Sequence, residues 1–152
     1  MNKYSLFLLM FILMGCKAEY EDVSDEPKYS NLINTEYRIL EELLVHGVNL
    51  GDVRRQEIDI YIVSKKPGGG GRYIIKKFGL EVGSKIRINK VLHCTNCFPS
   101  LIMFGIDILS ESLTQEKPIR LVNLSIENDE GELVMDPAIF LKLKEESKGQ
   151  IP

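Results

Sequence analysis

Residues 72–92, RYIIKKFGLEVGSKIRINKVL, decide the fold class of this chain. In the second half Ile86 and Ile88 alternate with Lys85, Arg87 and Asn89, the period of two that marks a strand with one buried face. The first half, residues 72–78, is rich in β-branched and aromatic side chains and reads as a second strand. Glu81-Val82-Gly83-Ser84 separates them and reads as a turn. Two strands alone are marginal in water, so the apolar face must find partners elsewhere in the chain.

Partners lie on both sides. Upstream, Ile58, Ile60 and Ile62 alternate with Asp59 and Tyr61, and the run Pro67 to Gly71, PGGGG, then breaks the chain. Downstream, residues 98–109 place Ile102, Phe104, Ile106 and Ile108 on one face, and residues 119–126 do the same with Val122, Leu124 and Ile126. Asn128-Asp129-Glu130-Gly131 turns the chain into residues 132–135. Residues 35–48 fit either period: Tyr37, Leu40, Leu44 and Val48 share a helical face, while Tyr37, Ile39, Leu43 and Val45 alternate with Glu41 as the exception. Asp136-Pro137 sets a capping side chain before a proline at a first helical position, and residues 138–148 contain no breaker. A short C-terminal helix is therefore expected, ending near Gly149.

Five or six short strands with turn residues between them predict a mainly β domain over residues 32–152. The expected form is a small antiparallel barrel or sandwich with that short C-terminal helix. Residues 79–88, GLEVGSKIRI, resemble the middle of bacterial Src-homology-3-like barrels, where a Leu-x-x-Gly turn precedes a strand of alternating charged and apolar residues. The resemblance implies a Src-homology-3-like barrel.

Residues 1–16, MNKYSLFLLMFILMGC, have a different character. Lys3 and the amino terminus are positive, and residues 6–14 are nine consecutive apolar positions. That run suits a secretory h-region and falls short of the roughly 20 residues a membrane span requires. Leu13-Met14-Gly15-Cys16 resembles the lipobox of bacterial lipoproteins; Leu13, Gly15 and Cys16 match, and Met14 is larger than the residue usual there. The resemblance implies a signal peptide over residues 1–15, cleavage before Cys16, a diacylglycerol on its sulfur and commonly a third acyl chain. One chain binds membranes marginally, at about 0.8 kcal/mol per buried methylene, and two or three anchor stably. Lys17, where an Asp tends to retain such proteins in the inner membrane, implies the outer membrane facing the periplasm. Residues 16–31 then read as a lipidated N-terminus and flexible tether, because Glu19, Glu21, Asp22, Asp25 and Glu26 accompany few large apolar residues.

Formal net charge is −3, and losing Lys3 with the leader makes it −4, too mild and of the wrong sign for nucleic acid. The chain has no Trp, which weakens stacking on sugars. Charge is nonetheless segregated. Residues 65–90 hold eight basic residues against Glu81, and residues 107–136 hold eight acidic residues against Lys117 and Arg120. On the alternating strand Lys85 and Arg87 share a face, and with Lys90 they form a candidate surface for an anionic envelope component or protein. The competing expectation is that the acidic segment packs beside this ribbon and neutralises it.

His93-Cys94-Thr95-Asn96-Cys97 offers three readings. A haem motif needs His after the second Cys, where Phe98 stands. Structural zinc needs four ligands, with His93 and His46 the remaining nitrogen donors. A redox dithiol would sit at a helix N-terminus, whereas this pair ends a strand pattern. In an oxidising periplasm a disulfide between Cys94 and Cys97 is the expectation. The Gly68 to Gly71 run lacks the Lys-Ser/Thr of a phosphate loop. No nucleophile–base pair and no spaced pair of carboxylates can be assembled, so no enzyme, metal or cofactor is expected. The pattern favours a membrane-tethered, non-enzymatic binding or structural module, with an inhibitor or immunity-type lipoprotein and a thiol–disulfide protein as alternatives.

Replacing Cys16 with Ser should abolish incorporation of a fatty-acid analogue. Label that persists on the Cys16→Ser chain would sink the lipobox reading.

Overall fold

The structure is a computed structural model that describes residues 18–51, 54–65, 73–109 and 117–143. Its elements are β1 (Tyr20–Asp22), a 3-10 turn at Pro27–Tyr29, β2 (Glu36–Ile39), β3 (Leu43–Val48), β4 (Ile60–Ser64), β5 (Ile74–Leu80), β6 (Lys85–Cys94), β7 (Ile102–Ile108), β8 (Ile119–Val122), β9 (Ser125–Glu127), β10 (Leu133–Met135) and β11 (Phe140–Lys142). The protein is mainly β, as its alternation predicts.

Residues 35–48, compatible with either period, form β2 and β3. Tyr37, Ile39, Leu43 and Val45 are all buried. Glu41, the residue that spoils the alternation, falls in the interruption and faces Lys65 at 3.5 Å. β2 pairs with β6 and β3 with β5, both antiparallel. Glu36 faces Arg87 and Leu43 faces Leu80, seven positions further along each strand, so neither strand gains or loses a residue across the break. Ile39 N–H donates to Ser84 O at 2.9 Å and Gly83 N–H to Ile39 O at 2.8 Å, bridging it. Residues 81–84, expected to reverse the chain, are a kink in one long ladder. Gly83 there has φ 91°, which favours a residue without Cβ.

The main sheet runs β11-β2-β6-β7-β8-β4-β3-β5, with β1 also on β6, and β9-β10 form a separate hairpin. β4 and β8 run parallel, with Tyr61 facing Ile119, so the sheet is open and mixed rather than wholly antiparallel. A parallel neighbour needs a long connection, here everything between Ser64 and Ile119. β5 is an end strand; its exposed Lys76 and Lys77 hinder pairing with another chain.

Two expectations are corrected. The C-terminal helix is absent from the described residues that were to start it. Asp136 does cap, its Oδ1 accepting from Ala138 N–H at 2.9 Å, and Ile139 and Phe140 N–H donate to its carbonyl. After that single turn the chain extends as β11 beside β2, burying Ile139 and Phe140 and setting the Phe140 ring edge-on to Tyr37 at 6.3 Å. Burying those side chains outweighs further helical turns; residues 144–152 lie outside the described residues. The acidic tether is the second correction. Its carboxylates stay at the surface, but Tyr20–Asp22 pairs with the end of β6 and Val23 and Tyr29 join the core. The signal peptide and Cys16 lie outside the described residues.

The inward faces of the main sheet meet in one cluster that includes Ile39, Leu43, Val63, Ile86, Ile88, Phe104, Ile106 and Leu121. His46 lies on the face of β3 opposite Leu43 and Val45, between Ile62 and Lys77, and is nonetheless buried. It is 5 % exposed and its Nε2 has no hydrogen-bond partner. Burial, helped by the nearby Lys77 charge, holds its pKa below the ordinary 6.5. The unfolded chain therefore takes up a proton that the folded one refuses, so stability falls as pH drops through about 6.5. The thermal midpoint should decline from pH 7 to pH 5, and His46→Leu should remove much of that decline. An undiminished slope in the variant would assign it to other groups.

Candidate functional site

β6 carries a bulge. Ile88 pairs with Ile106 and Lys90 with Gly105, leaving Asn89 as the extra residue. The strand changes parity there: Ile86 and Ile88 are buried before it and Val91 after it, while Asn89 and Lys90 are both exposed. Bulges re-aim side chains in this way. Across from them Gly105 has no space for a side chain, since a Cβ would stand 2.6 Å from Asn89 Oδ1 and 3.0 Å from Lys90 Cβ. The Asn89 amide is held by its Nδ2, which donates to Asp107 Oδ1 at 2.7 Å.

Arg120 on β8 is the register partner of Gly105 on its other side. With Lys117 and Pro118 at the entry to β8 it completes an open cleft of about 410 Å³ over Gly105. The charged lining is Lys90, Lys117 and Arg120 against Asp107. Strand β1 furnishes the rim: the Arg120 guanidinium lies 5.2 Å from the Tyr20 ring centre, and Lys90 Nζ lies 3.2 Å from Asp22 Oδ2. Hydrogen bonds from the Ser24 hydroxyl and then its backbone keep the Asp22 carboxyl below the usual carboxylate range, so it stays anionic. Basic groups around a concave, amide-bearing floor suit a phosphate or carboxylate. Among the described residues the lining contains no Ser, Thr, Cys or His.

Lys85, Arg87 and Lys90 all lie on β6, but they are not equivalent. Arg87 Nη2 is 2.6 Å from Glu36 Oε1, and its partner on β7 is Asp107. Lys85 is exposed and faces Arg38, a like charge. Lys90 alone reaches the cleft. The acids that answer this basic run are Glu36, Glu41 and Asp22, from the N-terminal part of the domain; the expected acidic segment supplies Asp107. Exposed pairs of this kind contribute at most about 1 kcal/mol each. Asn89, Gly105, Lys117, Arg120 and Tyr20 were not legible as a group in the sequence. One signal was present: the apolar positions of β6 pass from even to odd between Ile88 and Val91.

Cys94 and Cys97 are joined as a disulfide with Cα atoms 5.5 Å apart. The bond lies inside the hairpin linking β6 to β7, where Cys94 N–H donates to Leu101 O at 2.9 Å and a His93 ring nitrogen meets Ser100 Oγ at 2.8 Å. Cys94 is buried, and the pair follows a strand rather than opening a helix. The hairpin also grips the start of the domain: Glu19 N–H donates to Asn96 Oδ1 at 2.9 Å and Thr95 N–H to Glu19 O at 3.0 Å. Among the described residues no three of His, Cys, Asp or Glu are gathered to hold a metal ion.

No family model, no curated protein and no solved structure matches this chain.

Intact mass of the purified protein should show no alkylation at Cys94 or Cys97 until reductant is added. Reduction should lower stability by no more than about 2 kcal/mol, because so short a loop restricts few unfolded conformations. Two alkylated thiols without reductant would refute the bond.

Proposed function

We propose that this chain is an envelope lipoprotein, fixed through acyl chains on Cys16 to the outer membrane and facing the periplasm. Its β domain is a non-enzymatic binding module that takes an anionic group of an envelope component in the cleft between β6, β7 and β8. The observation that carries the binding role is Gly105 lying beneath the Asn89–Lys90 bulge. A glycine within a strand weakens it, and here its bare backbone forms a floor ringed by Lys90, Lys117 and Arg120. Arg87 is tied to Glu36, and Lys117 and Arg120 come from the β8 side, which favours recognition at this spot over a continuous basic ribbon along β6.

The finer reading of the fold, a small barrel, would make that cleft rigid. Support comes from the shared register of residues 36–47 against 76–87, with β4 and β11 on the opposite side, and from the single cluster in which the buried faces meet. The parallel pairing of β4 and β8 departs from a wholly antiparallel Src-homology-3-like barrel.

A soluble Cys16→Ser form labelled with nitrogen-15 tests the site by titration with inorganic pyrophosphate. The amides of Asn89, Gly105 and Arg120 should shift together, and added salt should weaken binding because exposed charges are screened within about 8 Å at physiological ionic strength. Lys117→Gln combined with Arg120→Gln should erase these shifts while changing stability by less than about 0.5 kcal/mol. Shifts that scatter over the surface, or that survive the double variant, would exclude the cleft.

A further inference from the structure

Phe98 is 103 % exposed, at the tip of a hairpin closed by the Cys94–Cys97 bond and by the Cys94 N–H to Leu101 O hydrogen bond. A large aromatic held fully in water costs solvation free energy that burial would recover. Residues 94–104 include no Lys, Arg, Asp or Glu. The same hairpin holds the start of the ordered chain, through Glu19 bonded to both Asn96 and Thr95. Cys16 is three residues before Glu19, so their Cα atoms are at most about 11 Å apart. Asn96 and Phe98 are two residues apart. An anchor on Cys16 is therefore tied by a short length of chain to the hairpin that bears Phe98.

We propose that Phe98 and its disulfide-closed hairpin rest in the lipid interface next to the acylated Cys16, fixing which end of the domain faces the membrane. This rests on the anchor reading above. The occupant is the bilayer that bears the acyl chains: aromatic rings favour the headgroup level of a membrane, and residues 94–104 carry no charge to desolvate there. Glu19 and Glu21 flank it, which favours a zwitterionic lipid surface over an anionic one. Leu50, past the end of β3 and near Tyr73, is exposed at the opposite end of the long ladder from Phe98.

The chain contains no Trp, so Phe98→Trp introduces its sole indole and Leu50→Trp gives the matching control. Each full-length protein is purified from bacterial membranes and reconstituted in phosphatidylcholine vesicles. Intact mass is read first: an unacylated Cys16 overturns the anchor reading and this inference with it. On acylated, vesicle-bound protein, brominated phosphatidylcholine should remove about half or more of the Phe98→Trp emission with a blue shift, as expected for a ring at the interface. The Leu50→Trp emission should not change. An unquenched indole at position 98, or equal quenching at both positions, overturns the inference while leaving the anchor in place.

Discussion

Two segments of chain, residues 36–47 and 76–87, lie against each other in one antiparallel register that survives an interruption of three residues in one and four in the other. Nearly every other placement follows from that ladder. Its β3 half receives β4 on the free side and its β2 half receives β11. Its β6 half goes on to carry β7 and then β1. Because side chains alternate across a strand, a slip of one residue would turn Ile86 and Ile88 to water and Lys85 and Arg87 inward. The buried apolar set makes such a slip prohibitive, and the cross-strand Arg87–Glu36 pair agrees with the same register.

Parity also explains why the cleft exists. β6 must turn Ile86 and Ile88 into the core near β2 and then Val91 into the core near β1. An odd spacing between inward residues can be met only by an extra residue, and Asn89 is that residue. Two adjacent polar side chains thus emerge on one face and crowd the strand opposite at Gly105, where a Cβ would stand 2.6 Å from Asn89 Oδ1. A packing requirement inside the domain has produced a concavity outside it, at a place where β1 and β8 bring Tyr20 and Arg120 together.

Strand identity was readable where apolar and charged residues alternate, as at Ile86 and Ile88 of β6, whereas β4 and β8 turn Val63, Ile119 and Leu121 into the core rather than the expected Ile62 and Val122. Direction and partnership were not. Residues 81–84 carry turn chemistry, and Ser84 N–H does bond to Glu81 O, yet the chain continues because its partner strand kinks in step. Asp136-Pro137 carries helix-start chemistry and makes one capped turn, after which pairing with β2 prevails. The acidic stretch near the N-terminus looks unable to fold because its carboxylates dominate the composition, while Val23 and Tyr29 are enough to dock it. In each case a distant contact overrode a local preference. The cleft was the least legible part, being assembled from β6, β7 and β8 with only the parity change of β6 recorded in sequence.

The parallel contact between β4 and β8 bears on the order in which the domain can be assembled. Tyr61 cannot meet Ile119 until the 57 residues between them have been made and looped, and β1 likewise waits for the far end of β6. Loop closure over such separations costs entropy before any contact repays it. The ladder within residues 36–88 closes over shorter separations than the β4–β8 contact, and until β8 is in place the free edge of β4 is open to whatever escorts the chain.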